Sequence, residues 1–111
     1  MNSFNHILLS RTDSIGDVVL TLPMAGVIKE HYPNCKISFL GKTYTKDIIS
    51  LSKYVDEFVN YDDLLALNLK QQITYIKSLN IDVVIHVFPV KQIAHLFNNS
   101  NVPIRIGTKS R

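Results

Sequence analysis

The segment Arg11-Thr-Asp-Ser-Ile-Gly-Asp17 gathers a cation, two carboxylates and a glycine directly after a short apolar run. Such a segment reads as the turn from a first strand into a first helix, where a ligand meets side chains and free backbone N–H groups together. It holds one glycine where a dinucleotide-binding turn needs three, and no Gly-Lys-Ser/Thr to cradle a triphosphate, which disfavours nicotinamide and P-loop chemistry. Asp17, in the first helical turn, is a candidate general base. The same residues also spell a capping box, with Ser14 accepting from an early backbone N–H and Asp17 reaching back to the cap, which is a purely structural job. The positive end of the helix lowers the pKa of a carboxylate there and weakens it as a base, while burial in a closed cleft opposes that shift. On these residues alone, base and cap both stand.

The elements that position this turn follow from hydrophobic period. His6 to Arg11, Lys36 to Gly41, Glu57 to Tyr61, Asp82 to Phe88 and Ile104 to Gly107 are short apolar runs that suit strands, the fourth being richest in β-branched residues. Between them, Asp17 to His31, Thr45 to Leu51, Asp63 to Leu79 and Lys91 to Asn98 repeat apolar residues at three and four, as helices do. In the third of these, Leu64, Leu67, Ile73, Ile76 and Leu79 are expected to face the core. The alternation predicts an α/β domain with a Rossmann-like parallel sheet of about five strands flanked by helices. Its binding crevice should lie beyond the carboxyl ends of the strands. Arg11 follows the first strand, Lys42 the second and Lys91 the fourth, so a parallel sheet would carry all three cations to the rim that holds Asp17; Lys46 is a fourth candidate.

The run Ile7-Leu-Leu-Ser-Arg-Thr-Asp-Ser-Ile-Gly-Asp-Val-Val-Leu-Thr-Leu-Pro23 resembles the start of glycosyltransferase family 9, the lipopolysaccharide heptosyltransferases. There an Arg or Lys ends the first strand and Gly-Asp-Val opens a helix carrying a Pro. Tyr54-Val-Asp-Glu-Phe-Val59 is similar to the family's third-strand segment, and Asp82-Val-Val-Ile85 with Arg105-Ile-Gly107 to its fourth strand and the Arg-Ile-Gly after it. The chain departs from the pattern after the fourth strand, with His86 and Pro89 where many members have Asp, Asn or Gln and then Gly. The resemblance implies the N-terminal, acceptor-side half of a GT-B arrangement of two Rossmann-like domains. It also implies that Asp17 takes the proton from the acceptor hydroxyl during inverting transfer from a nucleotide sugar of the ADP-heptose class. Arg11, Gly16, Lys42 and Lys91 would then bind an anionic saccharide acceptor such as lipopolysaccharide inner core.

On this reading residues 1–111 form one acceptor-side domain, the nucleotide sugar binds mainly to a C-terminal half absent from this chain, and the chain alone is expected to be inactive. No cofactor and no metal are expected, because inverting displacement needs one positioned base and a stabilised leaving diphosphate. A cytoplasmic location is expected, with a peripheral contact at the inner-membrane surface compatible with such an acceptor. The competing reading is a stand-alone flavodoxin-like binding or regulatory module that keeps the turn for capping only.

Composition narrows the field further. With 46% apolar and 19% charged residues in 111, the chain is globular, not disordered. A net charge of +3 favours anionic partners without making a nucleic-acid footprint. The single cysteine, Cys35, has no partner for a bridge and fits a reducing compartment. The histidines lack metal-ligand spacing, and His86, inside the most apolar strand, reads as a hydrogen-bonded core or cleft residue. Tyr44, Tyr54, Tyr61 and Phe88 are expected to serve packing, with facing a sugar the alternative for Phe88 at that strand's end. Asp62 and Asp63 are expected to cap the third helix.

Overall fold

The computed structural model describes residues 4–107. The two ends of the expected domain, 1–3 and 108–111, lie outside them. Five strands, β1 (His6–Ser10), β2 (Lys36–Gly41), β3 (Glu57–Asn60), β4 (Val83–His86) and β5 (Ile104–Gly107), form one sheet in the order β3-β2-β1-β4-β5. All pairings are parallel. The helices are α1 (Ile15–His31), α2 (Lys46–Ser50, entered through a 3-10 turn at Thr43–Thr45), α3 (Tyr61–Leu65), α4 (Leu69–Ser78) and α5 (Lys91–Asn99).

Side chains alternate across each strand, so the sheet has two cores. On one face Leu9, Ile37 and Phe39 pack with Val18 and Ala25 of α1 and Ile49 of α2. On the other, Leu8, Leu40 and Val84 pack with Leu64 of α3, Ile76 of α4, and Ile93, Leu96 and Phe97 of α5. The central strand β1 is buried along its whole length, which is why it reads as a continuous apolar run. The edge strand β5 is exposed throughout.

Acidic side chains fix the strand starts. Asp82 accepts from the backbone N–H of Asn5 (2.7 Å) and His6 (3.0 Å), pinning β4 to β1. Asp56 accepts from the Ile37 N–H and from Lys29 Nζ, both at 2.8 Å. Its burial opposes ionisation, yet these two donors hold its carboxyl below the usual range.

Three expectations need correction. The helix expected over 63–79 is two helices, because Asn68 starts a new one. Its side chain accepts from Gln71 N–H (2.8 Å) while the Gln71 side chain accepts from Asn68 N–H (3.1 Å), a reciprocal capping box. Leu67 therefore falls in the connection and is partly exposed, while Leu64 and Ile76 are buried as expected. Nor do Asp62 and Asp63 cap α3. Asn60 does, accepting from both their N–H groups, and Asp62 instead accepts from the Thr43 N–H and hydroxyl, each at 2.8 Å. Strand β4 is also shorter than the expected 82–88 run: the N–H groups of Val87 and Phe88 turn to the Ser10 carbonyl and end the ladder.

Candidate active site

Strands β1, β2 and β3 step outward in one direction and β4 returns to the other side of β1, so chain order reverses between β1 and β4. The segments leaving these two strands part to opposite faces, toward α1 and toward α5, at the position where open α/β sheets hold their binding crevice. The residues from Arg11 to Asp17 border that position on one side, and those from Val87 to Lys91 on the other.

Ser14 caps α1, its Oγ accepting from the Asp17 N–H at 3.3 Å. The Asp17 carboxylate does reach back, but to the Ser14 hydroxyl, which donates to Oδ2 at 2.7 Å, and not to the cap's backbone N–H as a reciprocal box would have it. Its other oxygen lies 3.5 Å from Arg11 Nη2, and the side chain keeps 45% of its surface exposed. The Ser14 hydrogen bond, outweighing a small effect of burial and helped by the Arg11 guanidinium, holds Asp17 below the ordinary carboxylate range. Asp17 is thus ionised at neutral pH, able to accept a proton, and intrinsically a weak base.

Arg11 is the best-held cation of the rim. Its Nε and Nη2 donate to the two oxygens of Asp13 at 2.9 and 3.1 Å, a fork-on-fork pair. Its guanidinium lies 6.0 Å from the ring centre of Phe88, joining the two sides. Tyr44 donates to the Asp13 carbonyl and ties the same loop to the turn after β2. Sequence reasoning missed Asp13 and Tyr44 as holders of Arg11, since neither role follows from spacing.

Gly16 is exposed, and a Cβ there would meet nothing within 4 Å. Packing does not require glycine at this position, although glycine in a helix costs about 1 kcal/mol against alanine. Lys42 follows β2, and its charge contributes to lowering the pKa of Asp62. Lys91 is the exposed first residue of α5. Of the expected cations, only Arg11 contacts Asp17. Lys46 lines a separate cleft of about 290 Å³ with Phe58, Asn60 and Tyr75.

Directly beneath the crevice, Ser10 and His86 end β1 and β4 and are partners in register. Both are buried, and Ser10 Oγ and His86 Nδ1 have no hydrogen-bond partner among the described residues. A buried polar group left so costs about 1–3 kcal/mol. His86 packs edge-on against Phe97, with ring centres 5.8 Å apart. Burial, with the charge of Arg105, pushes its imidazole below the usual value. His86 therefore departs from the expected hydrogen-bonded histidine, its buried Nδ1 being unpartnered among the described residues. Burial likewise pushes the Cys35 thiol up, which keeps it protonated and unreactive.

No protein-family profile matches the sequence. No curated protein matches it with significance. Solved structures do. A glycosyltransferase of family 9 from Veillonella parvula superposes with a TM-score of 0.78 at 18% identity, covering 96% of this chain and 33% of that one. The Escherichia coli ADP-heptose lipopolysaccharide heptosyltransferase II gives 0.78 at 13%, over 93% and 30%. The E. coli heptosyltransferase WaaC, solved with ADP, gives 0.74 at 21%, over 94% and 34%. The chain has the fold of the N-terminal part of GT-B glycosyltransferases. It spans about a third of the length of these structures. The five-stranded parallel sheet and its flanking helices are as the sequence predicts. Among the described residues, no helix is long and apolar enough to cross a membrane, and no three His, Cys, Asp or Glu side chains cluster as metal ligands would.

Proposed function

We propose that this chain is the acceptor-side half of an inverting glycosyltransferase that moves a sugar from a nucleotide-sugar donor of the ADP-heptose class to an anionic saccharide of the lipopolysaccharide inner-core type. The observation that carries the proposal is the Asp17 carboxylate, ionised and half exposed at the mouth of the crevice, with one oxygen held by Ser14 and the other near Arg11. In the reaction the acceptor hydroxyl attacks the anomeric carbon as the bond to the nucleoside diphosphate breaks. Asp17 takes the hydroxyl proton, and the diphosphate leaves with the bonding pair. A base weakened by its hydrogen bonds suits a proton that is lost late, once the new bond has made the oxygen acidic. The donor is expected to be held by a second half, so that the 111-residue chain alone binds acceptor without turnover.

Lys42 and Lys91, at the ends of β2 and of the segment after β4, are available for phosphates and carboxylates of the acceptor, whereas Arg11 is already neutralised by Asp13 and serves to shape the rim. A buried, protonated Cys35 fits the reducing cytoplasm, where nucleotide sugars are found. The bare approach at Gly16 supports close contact between the helix N-terminus and a ligand. In the intact protein, assayed with ADP-heptose and a heptose-deficient core oligosaccharide, Gly16→Ala should leave the thermal midpoint unchanged or slightly raised and lower transfer about 10-fold, the loss that displacing a ligand by a methyl group would bring. Failure of the wild-type protein to transfer heptose would refute the donor assignment, and full activity in Gly16→Ala would refute the contact at the helix terminus.

The Ser14–Asp17 hydrogen bonds favour one other reading, a non-catalytic α/β module in which the turn does nothing but cap α1. That reading predicts that substitutions at Asp17 change stability and nothing else.

A further inference from the structure

The same face of the sheet carries two histidine-serine sets at its opposite ends. At the amino end His6 is buried and fully bonded: Nδ1 donates to the Leu79 carbonyl at 2.8 Å and Nε2 meets Ser38 Oγ at 2.6 Å. At the carboxyl end His86 and Ser10 are buried to the same degree, yet His86 Nδ1 and Ser10 Oγ have no partner among the described residues. Buried polar atoms in folded proteins are satisfied almost without exception, by protein, water or ligand. The amino-end set shows that this sheet can satisfy a buried histidine when its role is structural. The exception falls at the strand ends that flank the reversal of chain order, where open α/β sheets bind ligands.

We infer that Ser10 and His86 form a hydroxyl-binding subsite at the β1–β4 switch point, taking an uncharged hydroxyl of a sugar. The choice of sugar rests on the function proposed above; the subsite itself rests on the two unpartnered atoms. A hydroxyl both donates and accepts, so it satisfies a serine hydroxyl and a neutral imidazole nitrogen together in either tautomer. An anion fits less well, because the imidazole is held neutral by its burial and by Arg105 nearby. Neighbouring features keep this end of the strands in place. The Ser10 carbonyl accepts from Val87 and Phe88, and Phe97 packs against the imidazole. On β5 the register partner of His86 is Gly107, where an added Cβ would lie 3.6 Å from the His86 Cβ. Helix α5 opens just beyond without a side-chain cap at Val90.

The test is imidazole nitrogen NMR of the protein at neutral pH during titration with methyl α-mannoside, an uncharged polyol, and separately with inorganic phosphate. The expected result is a saturable shift at His86 Nδ1 with the mannoside, an affinity weakened about 10-fold in Ser10→Ala, as loss of one buried hydrogen bond would produce, and no comparable shift with phosphate. His86→Asn, which sets an amide near the Nδ1 position, should bind within a few-fold of wild type, and His86→Leu should lose binding with the fold retained by circular dichroism. A His86 signal that does not move at saturating mannoside, one that moves with phosphate instead, or equal affinity in Ser10→Ala each overturns the subsite. The two readings fail separately. Heptose transfer with an unchanged KM in Ser10→Ala removes the subsite and leaves the transferase, while mannoside binding at His86 in a protein without transfer does the reverse.

Discussion

Replacing Asp17 by alanine in the intact protein is expected to lower the rate of sugar transfer about 10²- to 10⁴-fold, the range found when a positioned general base is removed. The loss should fall on kcat, with KM for the nucleotide sugar unchanged, since Asp17 lies on the acceptor side of the proposed reaction. Stability should change little in comparison. The carboxylate is half exposed, its helix remains capped by Ser14, and the hydrogen bond it gives up is one a water molecule can replace. Its lowered pKa adds a sign to the stability change. The folded state holds Asp17 below its ordinary value of 3.8, so the stabilisation is present above that pH and is lost as pH falls beneath it. Wild type and Asp17→Ala should therefore converge in stability in acid and differ most at neutral pH. Steady-state transfer kinetics and thermal melts at two pH values check both statements. Turnover in the variant within a few-fold of wild type would reduce Asp17 to a cap.

The largest effect on folding is expected from Phe97→Ala, at about 3–5 kcal/mol. Phe97 is fully buried in the cluster that joins Leu8 of β1 and Val84 of β4 to Leu96 of α5, and its ring also supports His86. Truncation removes its contacts on the sheet and on the imidazole at once and leaves a cavity that a central parallel sheet cannot close by local movement. Against a total stability of about 5–15 kcal/mol for a domain of this size, the variant should sit near its unfolding midpoint at moderate denaturant. Guanidinium denaturation followed by circular dichroism measures it. A loss below about 1 kcal/mol would mean that α5 does not dock as described.

Much of this architecture was open to reading because a parallel sheet buried on both faces writes itself as apolar runs. Strands β2 and β5 begin and end at the residues where their runs do, and β1 is one residue shorter. What escaped depends on tertiary partners. The break in the helix over 63–79 turns on Asn68 and Gln71 satisfying each other, a pattern present in the sequence but hidden by apolar residues on either side that keep helical spacing. The Asn60 cap escaped because two aspartates beside it are equally good cap residues, and Thr43, distant in sequence, claims Asp62.

The candidate site divides in the same way. Asp17, Gly16 and Arg11 lie within one turn, and local pattern was enough to single them out. The fork between Arg11 and Asp13 joins neighbours too, yet nothing in the sequence says which of the two nearby carboxylates the guanidinium grips with both nitrogens; the structure shows that it is Asp13. Nothing in the sequence singles out Ser10, and His86 reads as a hydrogen-bonded core or cleft histidine. Only the β1–β4 register places them side by side, and both Ser10 Oγ and His86 Nδ1 lack a partner among the described residues. A polar residue ending each of two neighbouring, largely apolar strands was the available signal.

The mechanism proposed above, with Asp17 as the base and Asp13 held by Arg11, is a direct displacement at the anomeric carbon. The most direct measurement is the configuration of the newly formed glycosidic bond, read by one-bond carbon-proton coupling at the anomeric centre after transfer by the intact protein from a donor of known configuration. The account predicts inversion. Retention of the donor's configuration would require a different chemistry and would contradict it.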